Sequence, residues 1–180
     1  MTFNRIGQSN IDLSVKRIKD FYFFVNEKLF IPDPSKIIKI ELGQALGFNL
    51  SMNFINFTLR IFLHYTDTPE VILADLQVEN IFQVSDLKKF ETQDKLIILP
   101  KDLITAIVGM SLSHGRALLF KNMTGTVFEE VILPVTYADD VTKHFFPYMF
   151  DEEATLMQTD DKGNVRAKGI VNSKKKKVKL

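Results

Sequence analysis

The chain has 180 residues and a mass of 20.7 kDa, with 46% hydrophobic and 25% charged residues. That is enough for a single globular domain with a real core, and it excludes a disordered or fibrous chain. With no cysteine, disulfides, thiolate metal sites and cysteine nucleophiles are excluded, which fits a reducing compartment.

The net charge of +1 conceals a segregation. From Lys162 onward there are eight basic residues and no acidic one, so residues 1–161 hold 15 basic and 22 acidic residues, a net −7. An acidic body therefore carries a basic tail. Residues 1–10 are polar, so no secretory signal is expected, and no apolar stretch is expected to approach the ~20 residues of a membrane span. A cytoplasmic protein is expected. The 16 phenylalanines beside no tryptophan suit either a Phe-rich core or an apolar surface that meets a partner.

In chain order, residues 11–25 predict a strand. Ile11, Leu13 and Val15 alternate, then Ile18 breaks the phase, which points to a bulge or bend. The run Phe21, Tyr22, Phe23, Phe24 is apolar on both faces and predicts burial on both sides. Residues 26–35, with Pro32 and Pro34, form a connection. Residues 36–42 form a second strand, with Ile38, Ile40 and Leu42 inward, and residues 43–47, bounded by two glycines, a loop.

Residues 52–84 form a long hairpin. Ile55, Phe57, Leu59, Ile61, Leu63 and Tyr65 share one face of the first arm. Ile72, Ala74, Leu76, Val78, Phe82 and Val84 line the second arm, with a turn at residues 66–70. A two-stranded hairpin is marginal in water, so further strands and a helix must cover its apolar face.

After a loop or short turn at residues 85–95, Leu99 and Pro100 open a long helix. Proline suits a first turn, and Asp102 suits the positive end of the helix dipole. Leu103, Ile104, Ile107, Val108, Ser111 and Leu112 recur at helical spacing; Gly115 is a candidate end, the alternative being that Leu118, Leu119 and Phe120 carry a turn onward. Residues 121–127 are polar, residues 131–135 apolar and extended, and residues 137–146 a second helix closed by Pro147. The expected fold is α+β: a four-stranded antiparallel meander sheet with one long and one shorter helix packed on one face. Residues 1–150 form the domain. Residues 151–180 form a polar, lysine-rich tail, expected to be disordered past residue 160.

Chemical motifs are sparse. His64, His114 and His144 have no metal-binding spacing, and no metal or cofactor is expected. Ser111, Ser113 and His114 lie in mid-helix, not on the strand-to-helix turn a nucleophile requires. Gly43 and Gly47 lack the following Lys of a phosphate loop. No catalytic residue is assigned, and the expectation is that the chain is not an enzyme. Lys174, Lys175, Lys176, Lys177 and Lys179 make a polybasic segment of the kind that binds nucleic acid or anionic lipid, or that merely solubilises.

Several segments in order resemble the SecB family of bacterial export chaperones. Lys16-Arg17-Ile18-Lys19-Asp20-Phe21-Tyr22-Phe23 is similar to the family's first strand, and Ile81-Phe82-Gln83-Val84 to the end of its hairpin. Leu99-Pro100 with Leu103-Ile104-Thr105-Ala106-Ile107-Val108 is similar to its Pro-initiated helix. His114-Gly115 falls near its Arg-Gly, and Leu133-Pro134-Val135-Thr136-Tyr137 is similar to its later Pro-Val-Asn-Phe. The resemblance implies an ATP-independent holdase. It implies a homotetramer, a dimer of dimers, that holds unfolded polypeptides in apolar grooves. By position, Leu118, Leu119, Phe120 and Met123 are candidates for a groove wall, the alternative being that they cover the sheet.

Asp20 and Asp75 match acidic positions of the family's surface for the SecA motor, but Phe24 stands where another acid is expected and lysines replace an acidic tail. These departures weigh against protein export and SecA. A SecB-like relative with other clients, such as the chaperones that accompany toxin–antitoxin pairs, is at least as good a reading. The competing reading is an adaptor whose polybasic tail binds nucleic acid or anionic membrane.

Overall fold

In the computed structural model the described residues are 4–6, 11–150, 157–159 and 165–167. Five antiparallel strands make the main sheet: β1 (Asn4–Ile6), β2 (Ile11–Val25), β3 (Ile38–Asn49), β4 (Phe54–Tyr65) and β5 (Thr68–Val84). A second, two-stranded sheet pairs β6 (Met157–Thr159) with β7 (Val165–Ala167). The helices are α1 (Lys101–Met123) and α2 (Ala138–Phe145).

The α+β class, the antiparallel sheet and the long and short helices agree with the sequence reading. Two details differ. The short β1 adds a fifth strand, and the order is β1-β2-β5-β4-β3. Thus β3, β4 and β5 form a meander, while β2 pairs with β5 after a connection that crosses to the far edge, a Greek-key arrangement. Sequence proximity favours β2 beside β3. The pairing goes instead to β5, whose 17 residues are long enough to flank the 15 of β2, and the Pro32/Pro34 connection spans the sheet.

The hairpin face forms the core as expected: Ile55, Phe57, Leu59, Ile61, Leu63, Leu76, Val78, Phe82 and Val84 are all fully buried. Helix α1 lays Leu103, Ile104, Ile107, Val108, Leu112, Leu119 and Met123 on it. At 23 residues, α1 is also long and apolar enough to cross a membrane by length and composition, contrary to the sequence expectation. Here that apolar character is spent on the sheet.

Local expectations met mixed outcomes. The phase break at Ile18 corresponds to register shifts between Val15 and Arg17 and between Asp20 and Tyr22. Residues 43–47 are not a loop; they continue β3, where Gly43 lies opposite Arg60 and Gly47 opposite Asn56. Gly115 does not end the helix, which runs eight residues further. The aromatic run of β2 is not buried on both sides: Phe21, Tyr22 and Phe24 are exposed, because nothing among the described residues covers the outer face of the sheet there. The expectation of disorder past residue 160 falls mostly on residues outside those described.

Candidate functional site

Two edges of this fold face each other across an open trough of about 610 Å³. One wall is β3, an edge strand that pairs only with β4 among the described residues, so its outward N–H and C=O groups lie outside the main ladder. Its Ile40 and Leu42 line the trough. The floor is α2, through Val141 and His144, and the opposite wall is Val135, Thr136 and Tyr137.

The opposite wall is extended for a covalent reason. Pro134 disfavours helix in Leu133 and offers no N–H of its own. Leu133 is buried and anchors the segment in the core. Arg116 of α1 then clamps it: Nε donates to the Leu133 carbonyl at 3.0 Å and an Nη to the Pro134 carbonyl at 3.0 Å. With those groups fixed, Val135 is 89% exposed and Tyr137 82%, and Ile132 beside them is exposed as well. Apolar side chains so exposed contribute nothing to the core.

Charge is confined to the rim, at Lys39, Glu41 and Asp140. Lys39 Nζ lies 2.6 Å from Glu41 Oε1 and holds that carboxyl below the usual glutamate range. His64, from the neighbouring strand, is buried with Nδ1 2.8 Å from the Tyr65 carbonyl and Nε2 3.4 Å from Glu41.

The residues singled out from sequence are dispersed. Leu119 and Met123 are fully in the sheet–helix core, Leu118 is half-buried against it, and only Phe120 is exposed, at 59%. Helical geometry separates them, because neighbours on a helix point in different directions. These four do not line the trough. Asp20 lies on the helix-facing side of β2 and accepts a hydrogen bond from Asn122 Nδ2 at 3.1 Å.

Asp75 is on the outer face, buried and engaged by Arg60 through Nε at 3.0 Å and an Nη at 2.7 Å. Asp20 and Asp75 therefore do not form one acidic surface. Lys174, Lys175, Lys176, Lys177 and Lys179 lie outside the described residues.

The trough residues were legible only in part. The stretch 131–135 reads as apolar and extended, but neither its exposure nor its clamp by Arg116 has a local sequence signal. Among the described residues no group of three or more His, Asp or Glu side chains could hold a metal ion.

No protein-family model matches the chain, and no curated protein matches it. Among solved structures it is similar to the Mycobacterium tuberculosis SecB-like chaperone Rv1957, solved in complex with a ChAD peptide from the HigA1 antitoxin Rv1956. The TM-score is 0.49 at 10% identity, covering 69% of this chain and 90% of that one.

Proposed function

We propose that this chain is a nucleotide-independent holdase that keeps non-native polypeptides extended in the trough between β3 and residues 135–137. The observation that carries this reading is the pairing of an edge strand with a clamped apolar wall whose Val135 and Tyr137 stand almost fully in solvent. A client chain laid there gains apolar contact from Ile40, Leu42, Val135 and Tyr137. It also gains main-chain hydrogen bonds from β3, which require no particular sequence. The rim charges keep the loaded trough hydrated. The order of motifs resembling the SecB family supports the same role, and with it a dimer of dimers and clients of the toxin–antitoxin kind.

The test is aggregation of a heat-unfolded reporter enzyme with and without the purified chain and with no nucleotide. Suppression at near-stoichiometric ratios is expected, from an oligomer near four times 20.7 kDa. A protein that leaves the time course of light scattering unchanged at every ratio sinks the reading.

A further inference from the structure

The C-terminal part of the chain returns to β3, the strand whose residues 39–42 wall the trough. Among the described residues strand β7 pairs in register only with β6, yet Cα atoms of β7 and β3 approach within 8 Å. The chain's own segment thus reaches the edge strand on which the proposed client site depends. We propose that the segment starting at β7 is a tethered occupant of the trough, lying along the β3 edge and competing with any polypeptide that enters. This rests on the client-binding reading for its consequence, though not for the occupancy itself.

Three features of the chain fit this occupant. From Val165 the sequence alternates small apolar residues, Val165 and Ala167, with cations, Arg166 and Lys168. That pattern complements a trough with apolar walls and the carboxylate of Asp140 in its lining, with Asp139 next to it in the sequence, Glu41 being already paired with Lys39.

Length is also sufficient. Residues 168–180 number 13, against 12 in β3, so at about 3.3 Å per residue the tail can run the whole edge. Those 13 residues include six lysines and no acid, so charge attracts the segment to the acidic body along its length.

Tethering makes a weak contact effective. A short linker holds a segment at about millimolar effective concentration, so a contact too weak to survive between molecules is populated within one. The apparent affinity for an external chain then falls by the fraction of time the trough is free. A segment in place nine-tenths of the time would weaken external binding about tenfold.

The absence of cysteine makes occupancy directly measurable in the full chain. K39C/A167C, joining the trough rim to β7, is compared under mild oxidation with K19C/A167C. Lys19 lies on β2, separated from β3 by β5 and β4. The first pair should close an intramolecular disulfide at least about tenfold faster, as proximity raises effective concentration. Equal rates overturn the proposal.

In parallel, a fluorescent synthetic peptide copying residues 162–172 is titrated into the native full chain and into R166E/K168E. Tighter binding to the variant, by about five- to tenfold, is expected, because the resident segment has been repelled. Equal affinity, or no binding to either, overturns it. Binding of this peptide by a protein that fails to suppress aggregation would support the occupancy while retiring the holdase reading.

Discussion

Gly115 on α1 rests directly against Leu59 on β4. A Cβ built on Gly115 would lie 2.7 Å from Leu59 Cδ2 and 3.0 Å from Ile61 Cδ1, both fully buried side chains. The glycine sets how closely the long helix approaches the sheet. G115A gains helix propensity of about 1 kcal/mol but forces overpacking that costs about 1–3 kcal/mol. The expected net is a loss of about 1 kcal/mol, and G115V should lose more. Urea unfolding of the two variants checks this; a stabilised G115A would show that the helix shifts without strain.

On the outer face, Arg60 and Asp75 make an asymmetric pair. The Asp75 side chain is 7% exposed and the Arg60 side chain 43%, with the guanidinium also over the Phe62 ring at 4.7 Å. Removing the arginine strands a buried carboxylate, whereas removing the carboxylate's charge leaves a cation that water reaches. R60M is therefore expected to cost about 2 kcal/mol, below the range for a fully buried pair because solvent screens one partner, and D75N under about 1 kcal/mol. Thermal unfolding of both variants ranks them; D75N proving the worse would contradict the asymmetry.

His114 supplies a pH dependence. Its Nδ1 lies 2.7 Å from Oδ1 of the fully buried Asn80, and burial lowers its pKa from 6.5. The unfolded chain therefore takes up a proton at a higher pH than the folded one. Above 6.5 both forms are neutral and stability is unaffected; as pH falls through 6.5, stability is lost until the folded-state pKa is reached. H114Q should lose less stability than the native chain between pH 7.5 and pH 5.5. Denaturant titrations at those two values decide it, and parallel losses would remove His114 as the cause.

Arg116 holds the wall of the trough through two successive carbonyls. R116K cannot span both with one ammonium, so the segment at residues 133–134 should loosen. Losing one charge-assisted hydrogen bond is worth about 1.5 kcal/mol, or roughly tenfold in peptide affinity. The unfolding midpoint should change little, since Leu133 still anchors the segment. Peptide titration alongside thermal melts separates the two effects, and full affinity in R116K would show that the wall needs no clamp.

The fold was readable wherever one face of an element is buried. Period-two apolar residues placed β4 and β5, and helical spacing placed α1, because burial writes itself into the pattern. The register shifts in β2 were readable for the same reason, as a break at Ile18. What escaped depends on contacts distant in sequence: the pairing of β2 with β5, and the clamp from Arg116 to Leu133. Gly115 reads as a helix end by local rules, yet its role is set by Leu59 across the interface. The candidate wall at residues 118–123 shows the limit most plainly. Apolar residues in a helix announce that something is covered, and Leu119 and Met123 cover the sheet. The trough lies instead where Val135 and Tyr137 are left uncovered, which composition alone does not separate from a core strand.

The most direct measurement is binding of a labelled, permanently unfolded polypeptide to the native chain and to V135D/Y137D. Both side chains are over four-fifths exposed, so the variant should fold with an unchanged melting temperature. Loss of at least about tenfold in affinity is expected, since two apolar anchors are replaced by charges that must be desolvated. A variant that binds the unfolded chain as tightly as the native protein would contradict the assignment of the trough as the client site.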